Sequence, residues 1–154
     1  MLRNFAGLML AMAAALPNAH AQQKRIAVTM IVEVPQLLDV KRGLIEELGR
    51  LGYREGQNLA VDYSHAAGSF PTQQQIAKKI VGDNPDVIVP ITTPSAIVLV
   101  QAAKDTTIPI VFSTVTDPLR AKVVATLARP GGLVTGVSDL APIELHLKLM
   151  KEMV

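Results

Sequence analysis

Three short stretches of the chain gather side chains suited to holding a small polar molecule: Glu33-Val34-Pro35-Gln36, Thr92-Thr93-Pro94-Ser95 and Ser113-Thr114-Val115-Thr116-Asp117-Pro118. Their chemistry is hydrogen bonding, not bond breaking. Hydroxyls donate to and accept from a ligand, and the first N–H groups of a helix, at whose start proline is well tolerated, are unpaired and can face an anion such as a carboxylate. None of the three sets a nucleophile beside a base.

Signatures of catalysis are missing elsewhere as well. The chain has no Gly-x-Ser-x-Gly elbow and no phosphate-binding Gly-x4-Gly-Lys-Ser/Thr loop, and "TMIVEVPQ" stands where a dinucleotide fold would place its glycine-rich turn. His20, His65 and His146 are scattered, and there is no cysteine, so neither a metal cluster nor a disulfide framework is expected. Glu46 and Glu47 are adjacent on a helix and project in different directions, which suits a solvated face. The expectation is a binding protein rather than an enzyme, without a cofactor or metal.

The positions of the three stretches follow from the elements around them. "RIAVTMIV" (25–32) is a β-rich apolar run, and Leu37, Val40, Leu44, Leu48 and Leu51 follow it at helical spacing. "LAVDYSH" (59–65) reads as a second strand, with a helix expected from near Thr72. "DVIVPI" (86–91), "IPIVFS" (108–113) and "LVTGVS" (133–138) supply three more strands, and helices are expected over 95–104 and 119–128. Strands that are apolar without alternation are buried on both faces. The fold class is therefore α/β, a doubly wound parallel five-stranded sheet with helices on both faces.

In such a sheet the three stretches all follow strands and open onto its carboxyl edge, where ligands sit. Helix capping is a competing account: Thr93 before Pro94, and Asp117 before Pro118, have the form of a capping residue followed by proline at the first helical position. Capping needs one such group per helix. It leaves Thr92, Ser95, Ser113, Thr114 and Thr116 on the same rim unexplained, which favours a ligand.

The ends of the chain carry their own signals. Arg3, the apolar run Phe5–Leu16 and Ala19-His20-Ala21 make residues 1–21 read as a secretory signal peptide, with the exported chain starting at Gln22. Without a cysteine the exported protein has no lipid anchor at that site, so it is expected to be soluble and periplasmic, with no stable membrane insertion after cleavage. The net charge of +2 is interspersed, and loss of Arg3 brings the 15 basic residues to within one of the 13 acidic ones. That balance gives no reason to expect nucleic acid as a partner. The last segment, 142–154, carries one apolar stripe through Ile143, Leu147, Met150 and Val154 and a second through Leu145, Leu149 and Met153, more than a terminal helix needs to bury.

Taken together, "GLIEELGRLGYREGQNLAVDY", "PDVIVPITTPSA", "IPIVFSTVTDP" and "ARPGGLVTGVS" resemble the ABC-transporter substrate-binding protein family that includes tryptophan- and tyrosine-binding members. The resemblance runs from about Lys24 to the end. It implies a fold similar to the type I periplasmic binding proteins, two α/β lobes closing on a ligand between them, with a membrane permease as partner. On that reading 22–141 is the first lobe, 142–154 begins the crossover toward a second lobe, and the chain is a truncated form.

The resemblance further implies an amino-acid-like ligand contacted by Thr93 and by Thr114, with Asp117 a structural cap beside it; Thr92, Ser95, Ser113 and Pro35, from the rim itself, complete the expected ligand-binding set. Three positions depart from the family pattern. Thr92 stands where glycine is usual, "LRAKVV" replaces Gly-Leu-Val after Asp-Pro, and Leu133 replaces an asparagine, a change expected to disturb the turn before the fifth strand. The alternative reading is a stand-alone exported sensor or scavenging module acting as a homodimer through its terminal helix.

Overall fold

The computed structural model describes residues 23–129 and 132–153, so the expected signal peptide lies outside the described residues. Elements run β1 (Lys24–Met30), α1 (Pro35–Arg50), β2 (Leu59–His65), α2 (Phe70–Asp83), β3 (Val87–Ile91), α3 (Thr93–Ala102), β4 (Ile110–Val115), β5 (Val134–Ser138) and α4 (Ile143–Glu152). All five strands are parallel, in the order β2-β1-β3-β4-β5. Strand order reverses at β1 and β3. The crevice beyond their carboxyl ends is where this topology places ligands.

Ile26 to Met30 are all buried, as expected of a strand paired on both edges and covered on both faces. Val28, Met30, Val89 and Ile91 pack toward Leu37, Val40, Leu44 and Leu48 of α1. The other face is drier: Ala27, Ile88 and Ile110 meet Ala77 and Ile80 of α2 and Val98 and Leu99 of α3. Burying a side chain such as Leu99 contributes roughly 1.5–3 kcal/mol, and α1, with no fully buried residue, contributes less per side chain.

β5 lies against β4 at a distance only glycine permits. A Cβ added at Gly136 would stand 2.1 Å from the carbonyl oxygen of Phe112. Just before β5 the left-handed conformation falls on Gly132, with φ of 66°, and not on Leu133.

The helix expected over 119–128 does not form. Residues 118–128 make a series of turns, in which Pro118 C=O accepts from the N–H of Val123 and Lys122 is left-handed at φ 55°. The apolar spacing that resembled a helix serves as a plug, with Val123 and Val124 buried against Phe112, Val115 and Ala96 while Leu119 and Leu127 remain exposed. One face of β4 and β5 is consequently open, with Val111 and Val137 exposed. α4 forms as expected and buries none of its residues, leaving Ile143, Leu147 and Met150 of one stripe and Leu145, Leu149 and Met153 of the other exposed.

Candidate functional site

The rim at the carboxyl edge is built around the junction of β3 and α3. β3 ends at Ile91, buried, and the chain turns into α3 through Thr92, whose backbone takes φ 87° and ψ 153°. That region is essentially reserved for glycine, and a β-branched residue there is strained by about 1–3 kcal/mol. Two backbone hydrogen bonds hold the turn: Thr92 N–H donates to Ser113 C=O at 3.0 Å, and Ala96 N–H donates to Thr92 C=O at 3.0 Å.

The expected capping arrangement shifts by one residue. Thr92 is the N-cap, Thr93 is the first helical residue and Pro94 the second, and the Thr92 hydroxyl does not cap a backbone N–H. The Thr93 hydroxyl accepts instead from the Thr116 N–H at 3.3 Å, tying the start of α3 to the loop after β4. The first N–H groups of α3 thus have no side-chain cap and lie beside hydroxyls without a charged neighbour in the Thr92–Ser95 stretch. Such a helix terminus is suited to a carboxylate.

Ser113 and Thr114 are half-buried at the end of β4, their hydroxyl oxygens 3.4 Å apart. Thr114 is left-handed at φ 56°, and the β4–β5 register shifts between Phe112 and Val115, so a bulge re-aims the strand end. Pro35 is exposed at the first position of α1, whose N-cap, Val34, supplies no side-chain cap either. Asp117 does cap, though it caps a turn: its Oδ1 accepts from Arg120 N–H at 3.0 Å and its carbonyl from Ala121 N–H at 2.9 Å.

Ser95 is the residue whose placement differs most from the rim expected of it. It is 0% exposed and points inward, its hydroxyl donating to Oε1 of Gln73 at 3.5 Å and accepting from the Thr92 hydroxyl at 3.3 Å. Gln73, on α2, donates in turn to Oγ1 of Thr29 on β1 at 3.2 Å. Neither Gln73 nor Thr29 stood out in the sequence. A glutamine in a polar helix start and a threonine in a strand give no local signal of burial.

Glu33, in the loop after β1, accepts from the Tyr63 hydroxyl at 2.7 Å and lies 3.4 Å from Nε2 of His65. Lys41 sits 3.7 Å above the Tyr63 ring centre. Burial, then the hydrogen bond and negative charge of Glu33, push the Tyr63 phenol well above its ordinary value, so it stays a neutral donor. A separate groove of about 560 Å3 lies between α2 and α3, lined by Phe70, Gln74, Lys78, Ile97 and Gln101 among others, and includes none of the rim hydroxyls. Among the described residues no group of His, Asp and Glu could hold a metal, and no helix is long and apolar enough to cross a membrane.

Comparison with known proteins bears on what such a rim does. The profile of the family described as "ABC transporter substrate binding protein" matches residues 25–154. A tyrosine-binding protein of Clostridioides difficile (strain R20291) is 43% identical over 130 residues, covering 84% of this chain and 37% of that protein. Among solved structures, a conserved domain protein of Vibrio cholerae superposes with a TM-score of 0.82 at 49% identity, over 86% of this chain and 44% of that one. The ABC domain from Streptococcus pneumonia in complex with L-Trp gives 0.79 at 33% identity, over 84% and 43%. The chain spans less than half the length of each of these relatives.

Proposed function

The chain belongs to the ABC transporter substrate binding protein family, a family of binding proteins and not of enzymes, and from that premise we propose that it is the first lobe of an exported amino-acid-binding component of an ABC importer. The ligand's carboxylate is received at the start of α3, by the Thr92 and Thr93 segment, with Ser113 and Thr114 beside it. The observation that carries this reading is the uncapped α3 terminus at the strand-order reversal, set among hydroxyls with no carboxylate in the Thr92–Ser95 stretch. A carboxylate bound by hydroxyls and helix-terminal N–H groups makes charge-assisted hydrogen bonds and needs no basic partner.

The tyrosine and L-Trp associated with two of the relatives point to an aromatic amino acid as the ligand. This rim covers one side of such a molecule. A second lobe closes over the other side, residues 22–141 forming the first lobe and 142–154 leading toward the second. The closed protein then delivers its ligand to a membrane permease, from the periplasm, after removal of residues 1–21.

Calorimetric titration of residues 22–154 with L-tyrosine and L-tryptophan tests the division of labour. Binding by this lobe alone is expected to be weaker than about millimolar. Affinity on the order of micromolar or tighter would overturn the requirement for a second lobe. A stand-alone homodimer remains the second reading, favoured by the two uncovered stripes of α4. A defined dimer in sedimentation, with tight binding in the same sample, would favour it.

A further inference from the structure

Among the described residues, the fully buried polar side chains are Thr29, Gln73 and Ser95, and all three belong to one hydrogen-bonded chain. It runs from Thr29 on β1 through Gln73 on α2 to Ser95 on α3, and surfaces at the half-buried Thr92. An isolated buried polar group is destabilising, and a shape-matched apolar core would serve packing at least as well. A polar chain of this kind instead fixes orientation, because each member tolerates only a narrow range of partner geometry.

What it fixes is the first turn of α3. That helix is apolar nearly all round, Ala96, Val98 and Leu99 being buried and Ile97 exposed, so packing alone specifies its rotation poorly. Ser95 is the fully buried polar side chain of α3, and among the described residues Gln73, its Oε1 3.5 Å from the Ser95 hydroxyl, is the side chain of another helix hydrogen-bonded to it. We infer that Gln73 is a positioning residue: through Ser95 it sets the rotation and depth of the α3 N-terminus, and with them the direction of the N–H groups at the rim. The part of this inference that concerns ligand affinity rests on the proposed function; the part that concerns α3 does not.

The test separates the two. In the triple variant Thr29→Val, Gln73→Met, Ser95→Ala the three fully buried members become apolar at similar volume, and only the half-buried Thr92 hydroxyl, at the rim, loses a partner. Its thermal midpoint is expected to match or exceed the parent's, while amide exchange at Ala96 and Thr92 accelerates at least about tenfold and that of Val89 in β3 is unchanged. In a protein carrying both lobes, affinity for L-tyrosine or L-tryptophan is expected to fall about tenfold or more in the triple variant. Unchanged exchange at Ala96 and Thr92 overturns the inference.

If the triple variant does not fold, the single substitution Ser95→Ala decides: it cuts the chain at its middle, with the same acceleration at Ala96 expected and the same unchanged exchange contradicting it. Failure of the unaltered two-lobe protein to bind either amino acid overturns the proposed ligand class, and leaves the exchange result to judge Gln73 by itself.

Discussion

Thr92 combines two facts that pull against each other: a backbone reserved for glycine and a hydroxyl that ends the buried polar chain. Replacing it with glycine removes a strain of about 1–3 kcal/mol, against an entropic cost for glycine of about 0.5–1 kcal/mol. Thr92→Gly is therefore expected to raise stability by about 1 kcal/mol, read as a higher denaturant midpoint at unchanged slope. A lower midpoint would show that the Ser95 contact outweighs the strain. The departure from glycine at this position was legible in the sequence, whereas the inward turn of Ser95 was not. With Ala96, Ile97, Val98 and Leu99 following it, α3 offers no polar stripe from which its buried face could be read.

At the scale of elements, apolar runs located the strands, because a doubly covered parallel strand has no alternation to disguise it. The same run-reading failed at 119–128. Leu119, Val123 and Leu127 have helical spacing, yet only Val123 and Val124 are buried, and Lys122 turns left-handed between the two halves. Spacing records which residues want burial, not whether one continuous helix delivers them. The start of β1 is clamped to the start of β3 by Asp86, which accepts from Arg25 N–H at 2.8 Å and from Lys24 Nζ at 3.0 Å. The backbone hydrogen bond first, then that of Lys24, hold the Asp86 carboxyl below its ordinary 3.8. A depressed carboxyl contributes stability above its unfolded value that is lost as pH falls through its folded one. Stability should accordingly decline on acidification from about pH 4 downward, and Asp86→Asn should flatten that decline in urea titrations at successive pH values. An equal pH dependence in both proteins would remove Asp86 from the account. The pair is half exposed, so the effect is small.

For the whole molecule, the architecture offers one lobe with an open rim, an uncovered face on β4 and β5, and a terminal helix that buries nothing. The relatives it matches are more than twice the matched length, and under the proposed function these surfaces are the ones a second lobe would meet. The groove between α2 and α3, about 560 Å3 in volume, competes with the rim as a ligand site on size alone. Its lining carries Lys78 with Gln74 and Gln101, but among the described residues no uncapped helix terminus faces a cluster of hydroxyls there as at Thr92 and Thr93. Amide chemical-shift mapping in a protein carrying both lobes distinguishes them directly, since a bound ligand moves the resonances of the residues it contacts. On addition of L-tyrosine or L-tryptophan, the shifts are predicted at Thr92, Thr93, Ser113 and Thr114; shifts confined to Phe70, Ile97 and Gln101 would contradict the assignment of the rim as the binding site.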